Sequence, residues 1–167
     1  IEKADAFLAI LHDMLLSVRL DNRERLLQMI LETKAQKEAG LAPRGHLVVH
    51  SRLRSGFDEA DWAAEQFDGV DSLFFLRDLV ARVEADWPGV IEDLKEVGRI
   101  LLNRSSMVFN VTLDAENWRA FRLQLADLMA ALPAAPAEPR SWLVDKPPAK
   151  EGLSIPATVN YVAKGAN

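Results

Sequence analysis

The chain contains no cysteine among its 167 residues, which excludes a disulfide framework and any thiolate metal site. No run approaches the ~20 apolar residues of a membrane span, so a membrane partner is not expected. Eight glycines are present, but none forms a phosphate-cradling loop. Positive charge is in deficit. Twenty Lys and Arg against 25 Asp and Glu give a formal net charge of -5 and a pI near 5.2, which argues against nucleic acid as a partner. Both helix words of zinc peptidases are missing: there is neither HExxH nor the inverted HxxEH. His46 is followed by Leu47, Val48, Val49 and His50, and His12 by Asp13, Met14, Leu15 and Leu16. The chain starts at Ile1 rather than Met, and no signal or transit segment is visible in it.

What is present is a globular composition, 49% hydrophobic and 27% charged, at a length that normally makes one domain. Helical periodicity dominates. Phe7, Leu8, Leu11, Met14 and Leu15 share one face of residues 3–16. Asp21-Asn22-Arg23-Glu24 resembles a capping box and opens a helix with Leu26, Leu27, Ile30 and Leu31 inward, ended by Gly40 with Pro43 beyond. Residues 44–54 predict another helix. Phe57 and Trp62 flank Asp58 as a hydrophobic staple would, so a short helix starts there and stops at Gly69. Asp71 is placed to cap the next helix, which reaches about Asp86 with Leu73, Phe74, Leu76, Val80 and Val83 inside. Trp87-Pro88 opens a helix over 88–102, since proline fits a first turn.

From Leu101 to Ala131 the pattern predicts a helix end, a strand and a second helix in succession. In the run 106–112, Met107, Phe109 and Val111 alternate with Val108, Asn110 and Thr112, the period of a strand with one face more buried. Asp114 then sits at an N-cap position, and Trp118, Phe121, Leu125, Leu128 and Leu132 form the stripe of a helix packed on a sheet. Beyond it, Pro133, Pro136, Pro139, Pro147 and Pro148 mark a proline-stiffened linker over 133–156. Residues 157–163, ATVNYVA, read as a lone strand with nothing local to pair with. The expected fold class is therefore α+β, predominantly helical with two short strands.

No set of residues makes a catalytic constellation. His46 and His50 have the i, i+4 spacing of metal ligands, but no third ligand is evident, Glu38 and Asp58 being guesses, and packing or surface histidines is the plainer reading. The acid pairs Glu84/Asp86 and Glu92/Asp93 do not share a helix face well, and general acid–base work needs a perturbed group in a pocket. Arg44, Arg52, Arg54, Arg77 and Arg82 could gather for an acidic partner, but against the net charge local salt bridges are expected instead. Ser51, Ser55 and Ser72 lack a nucleophile-elbow context. Asn103-Arg104-Ser105 and Asn110-Val111-Thr112 match the glycosylation sequon, the second within the expected strand. Trp62, Trp87, Trp118 and Trp142 read as core and linker-packing residues.

Several words of the chain resemble the presequence protease family of plant organelles. They are Arg52-Leu53-Arg54-Ser55, Leu73-Phe74-Phe75-Leu76-Arg77, Glu84-Ala85-Asp86-Trp87-Pro88, and Leu101-Leu102-Asn103-Arg104. Asn110-Val111-Thr112-Leu113-Asp114, Glu116-Asn117-Trp118 and Val159-Asn160-Tyr161-Val162 continue the match in order. That family belongs to the pitrilysin-type zinc metallopeptidases. The resemblance implies four related α+β domains in two halves around a chamber, joined by a helical hinge. Residues 1–132 would be the later part of the third domain, 133–156 an interdomain linker, and 157–167 the first strand of the fourth. It implies a zinc site and an arginine/tyrosine stretch that both fall outside this sequence, so no catalytic or metal residue is carried onto any position here. The implied partners are short unstructured peptides and the N-terminal catalytic half of the same protein. The implied location is the mitochondrial matrix or chloroplast stroma. An independent helical module binding an amphipathic peptide is the alternative.

Overall fold

Helix boundaries follow the chemistry of the ends. In the computed structural model, which describes residues 3–137, 141, 146–148 and 150–166, the elements are α1 (Ala4–Leu16), α2 (Arg23–Leu41), α3 (Gly45–Arg54), α4 (Glu59–Asp68), α5 (Val70–Ala85) and α6 (Trp87–Leu101). A single 3₁₀ turn (Arg104–Ser106) and α7 (Ala115–Ala131) complete them. Asp58 caps α4, its carboxylate accepting from the amides of Ala60 (2.8 Å) and Asp61 (3.3 Å). Asp114 does the same for α7, accepting from Glu116 N (3.1 Å) and Asn117 N (2.9 Å). Each cap satisfies amides that a first turn leaves without an intrahelical partner. Proline at position 88 sits in the first turn of α6, where its missing N–H costs nothing.

The helices fall into two compact units, Ile1–Asn22 with Pro88–Arg140 and Arg23–Trp87 with Ser141–Asn167. In the first, α1 packs on α7. Leu8 meets Leu125 and Leu128, and Leu11, Phe109, Phe121 and Met129 close around them. The end of α6 is stitched to the segment after α7 by Asn103. Its Nδ2 donates to Ala135 O (3.1 Å) and its Oδ1 accepts from Ala135 N (3.0 Å), while Arg104 N donates to Pro133 O at 2.9 Å.

In the second unit α5 packs on both α2 and α4, and α3 on α4 and α2. Ile30, Val70, Leu73 and Val83 are its buried apolar side chains. Arg23 reaches across from the start of α2 to the end of α5, Nε donating to Val83 O (3.0 Å) and Nη2 to Glu84 O (3.1 Å). A guanidinium there pairs carbonyls that the last turn leaves open and suits the negative end of the helix dipole.

The expected α+β class is not what the chain adopts: among the described residues every regular element is helical. Residues 106–112 and 157–163 are not strands. A strand exists only by exchanging hydrogen bonds with a neighbour, and no described main-chain bond joins 108–113 to another segment. The alternation nevertheless has a physical basis. Met107 and Phe109 are half-buried, Phe109 against the α1–α7 core, whereas Val108 is 94% exposed. Period-2 burial reported which side faces a core; the core is helical. In the same way, the stripe of α7 packs on α1, not on a sheet.

Three smaller expectations also change. α2 continues through Gly40 to Leu41. Gly69, not Asp71, is the N-cap of α5, because the Asp71 carboxylate is engaged elsewhere. Phe74 is 42% exposed, with the Arg77 guanidinium 5.9 Å above its ring. Trp62 and Trp87 are half-buried and Trp118 is exposed; Trp142 and parts of the expected linker lie outside the described residues.

Candidate functional site

The densest polar constellation lies in the second unit, where α3, the end of α4 and the start of α5 converge. Its centre is Glu65, in the last turn of α4 and only 1% exposed. A buried carboxylate persists only if its oxygens are paired. Here Oε1 accepts from the Val70 amide (2.8 Å), the first of α5, and Oε2 accepts from Ser51 Oγ (2.9 Å). Glu65 thus caps the following helix from inside the fold. Gly69 makes the approach possible: a Cβ there would lie 2.1 Å from the carboxyl carbon.

Arg52 brings the charge that Glu65 needs. Its Nη1 lies 3.5 Å from Glu65 Oε1 and donates to Asp71 Oδ2 at 2.6 Å. Its Nε and Nη2 hold Glu151 in a two-pronged pair, at 2.7 and 3.0 Å. Hydrogen bonding to Glu151 above all, then to Asp71, raises the guanidinium pKa beyond its already high ordinary value, against the opposing effect of burial. Gln66 Nε2 also donates to Asp71 Oδ2 (2.7 Å), and the buried Ser55 hydroxyl donates to Arg52 O (2.7 Å). The bidentate fork is the geometry in which arginine binds carboxylate best.

Chemically the cluster positions backbone. Its serine donates to a carboxylate rather than facing a base, and its acids are held by a guanidinium and by amides. A permanently charged guanidinium in the middle also opposes a metal cation. The first unit offers a different feature, an open apolar hollow of about 340 Å3 lined by Val111, Leu113, Ala115 and Trp118.

The residues singled out from sequence are dispersed. His46 and His50 are exposed on α3, His46 tilted against Tyr161 with ring centroids 6.4 Å apart. Among the described residues, no group of three or more His, Cys, Asp or Glu side chains could hold a metal ion. Glu84 and Asp86 are exposed at the end of α5, and Glu92 pairs with Lys95 at 2.7 Å while Asp93 is exposed. Arg54 pairs with Asp61 (2.8 Å) and Arg77 with Glu38 (2.7 Å), while Arg44 and Arg82 are exposed. Glu38 is held below the usual carboxylate range by its hydrogen bond from Arg77, helped by Lys34. Ser72 donates to Gly69 O at 2.8 Å. Asn103 is buried and committed to Ala135, whereas Asn110 is exposed. Sequence reasoning named Arg52, Ser51 and Asp71 but missed Glu65, Glu151 and Tyr161. The available signal for Glu65 was an acid one turn before a helix-stopping glycine.

A segment built to position helices, without a reacting group of its own, is the class of object these features define. Residues 1–79 match the family model described as "Peptidase M-16C associated". Over 166 residues the chain is 30% identical to presequence protease 1, chloroplastic/mitochondrial, of Arabidopsis thaliana, covering 99% of this chain and 15% of that protein. It is 26% identical over 149 residues to protein HypA of Clostridium perfringens (strain 13 / Type A), covering 89% of this chain and 15% of that one. The chain is thus presequence protease-like along its length and carries a peptidase-associated segment; it spans about 15% of the length of the curated relatives it matches.

Proposed function

We propose that this chain is a non-catalytic segment of a zinc metallopeptidase that degrades cleaved targeting peptides and other short unstructured peptides. In that reading it supplies chamber wall and interdomain packing. The observation that carries it is the 30% identity running through 166 residues to a presequence protease, joined to the peptidase-associated match over 1–79. Two features support the wall role. The Glu65–Arg52 cluster fixes three helices without offering a nucleophile, and α1 carries Phe7, Ile10, Met14 and Val18 exposed along one side, an apolar face suited to packing on other domains. The zinc, its ligands and the peptide-bond chemistry would belong to the rest of the protein, where metal-activated water attacks the scissile carbonyl. The mitochondrial matrix or chloroplast stroma is the compartment this reading assigns.

The test uses the protein that carries this sequence, isolated by a tag and sized. A polypeptide several-fold heavier than 18.6 kDa, with stoichiometric zinc and chelator-sensitive cleavage of a basic amphipathic peptide, is the expected result. A heavy polypeptide that leaves such peptides intact would sink the peptidase reading. A sole species near 18.6 kDa would leave the alternative, a free-standing helical peptide-binding module.

A further inference from the structure

Residues 150–166 contain no helix, yet they are fastened to α3 at three places. Glu151 takes the Arg52 fork. The Tyr161 hydroxyl donates to Ala42 O at 2.6 Å, and its ring lies on Gly45 so closely that a Cβ there would sit 2.1 Å from a ring carbon. Gly165 then packs on Leu53 and Phe57, where an added Cβ would come within 3.0 and 3.1 Å. The described main-chain bond within the segment is local, Ala157 N to Ile155 O at 2.9 Å. Between the fastenings the chain is open to solvent, Val162 being 92% exposed.

The fastenings and the helical scaffold are separable in their bonding. With Glu151 withdrawn, Arg52 keeps Asp71 and Glu65, and Glu65 keeps Ser51 and the Val70 amide. No buried carboxylate in the cluster is orphaned. What is lost are side-chain contacts of one irregular segment, the pattern of a region that opens with far less free energy than the whole fold.

We propose that residues 150–166 form a releasable strap over α3, locked by the Arg52–Glu151 pair and by the Tyr161 slot at Gly45, which opens while α4 and α5 stay folded. Opening uncovers Gly45, Leu53 and Phe57. The strap is then a two-position element through which movement of the chain beside it acts on a rigid helical scaffold.

Hydroxyl-radical footprinting of the intact protein, read residue by residue by mass spectrometry, tests this with two variants. Glu151→Gln removes the ionic half of the first lock and keeps its shape. Gly45→Ala displaces the Tyr161 ring while favouring helical backbone in α3. In each, labelling of Tyr161 and Phe57 rises at least threefold, with Trp62 in α4 and Leu73 in α5 unchanged. Tyr161 labelling that stays at the unsubstituted level in either variant overturns the proposal. So does a parallel rise at Trp62 and Leu73, which would make the segment inseparable from the fold.

Discussion

In the α2–α5 unit, polar side chains finish what the apolar core begins. Four buried aliphatics sit among the helices, and Glu65, Arg52, Ser51 and Asp71 close the junction of three of them. The α1–α7 unit has no comparable cluster among the described residues. It relies on Leu8, Leu125 and Leu128, while the other side of α1 leaves Phe7, Ile10, Met14 and Val18 exposed, and the end of α6 leaves Val97, Ile100 and Leu101 so. A helix apolar on two sides is built for burial on both. The difference teaches where specificity resides: one unit is fixed by directional bonds that tolerate no shift, the other by a small interdigitated patch.

Breaking the polar junction gives the largest effect. Glu65→Ala leaves the Val70 amide and Ser51 hydroxyl unpaired inside the fold and Arg52 without its innermost acid. Loss of one partner from a buried charge cluster costs about 3 kcal/mol, and chemical denaturation of the α2–α5 unit measures it. Leu128→Ala in the other unit removes the centre of its patch. Because that patch is small and beside solvent, the gap can partly close, so the loss belongs at the low end for such truncations, about 2 kcal/mol. Equal losses in the two variants would remove the contrast drawn above.

The contrast was only half legible in the amino-acid order. Signals written into neighbouring residues held: Asp58 before α4, Pro88 in the first turn of α6, Gly69 between α4 and α5, Asp114 before α7. Each depends on a few adjacent residues and on backbone amides always present at a helix end. Signals that require a distant partner did not. Residues 106–112 have strand composition, but strand propensity measures fit to neighbouring strands, and Phe109 found helices. Asp71 looked like a cap until Arg52, nineteen residues earlier, claimed it. Glu151 lies ninety-nine residues from the same arginine, a separation that no periodicity encodes. The resemblance to presequence proteases survived because it rests on words in order rather than on any one contact.

A smaller change sharpens the comparison from the other side. Gln124 on α7 buries its Oε1 with no hydrogen-bond partner among the described residues, in the unit that otherwise relies on apolar packing. An unpaired buried acceptor carries the desolvation penalty without return. Gln124→Leu is expected to stabilise that unit by about 1 kcal/mol, seen as a higher denaturation midpoint with an unchanged slope. A destabilised variant would mean that Gln124 is satisfied, by water or otherwise, and that the α1–α7 unit also depends on polar closure.

The smallest effect concerns Asp58 and Asp114, which make the same bonds at the first turns of α4 and α7. Asp58→Ala should cost about 1 kcal/mol, the usual loss for a carboxylate cap. Asp114 offers a pH signature. Its carboxyl is held below the ordinary range, first by the Asn117 amide and then by the Asn117 side chain and the Glu116 amide. A folded-state pKa below the unfolded value of about 3.9 means that the folded chain binds fewer protons in that interval. The stabilisation is therefore complete above the unfolded value and is lost as pH falls through the folded one. Asp114→Asn retains a good cap and cannot titrate. Against the unsubstituted chain, its stability should match near neutral pH and fall less steeply below about pH 4. Identical acid limbs would show that Asp114 contributes through its shape and hydrogen bonds alone, leaving the helix-end charge of α7 without weight in this unit.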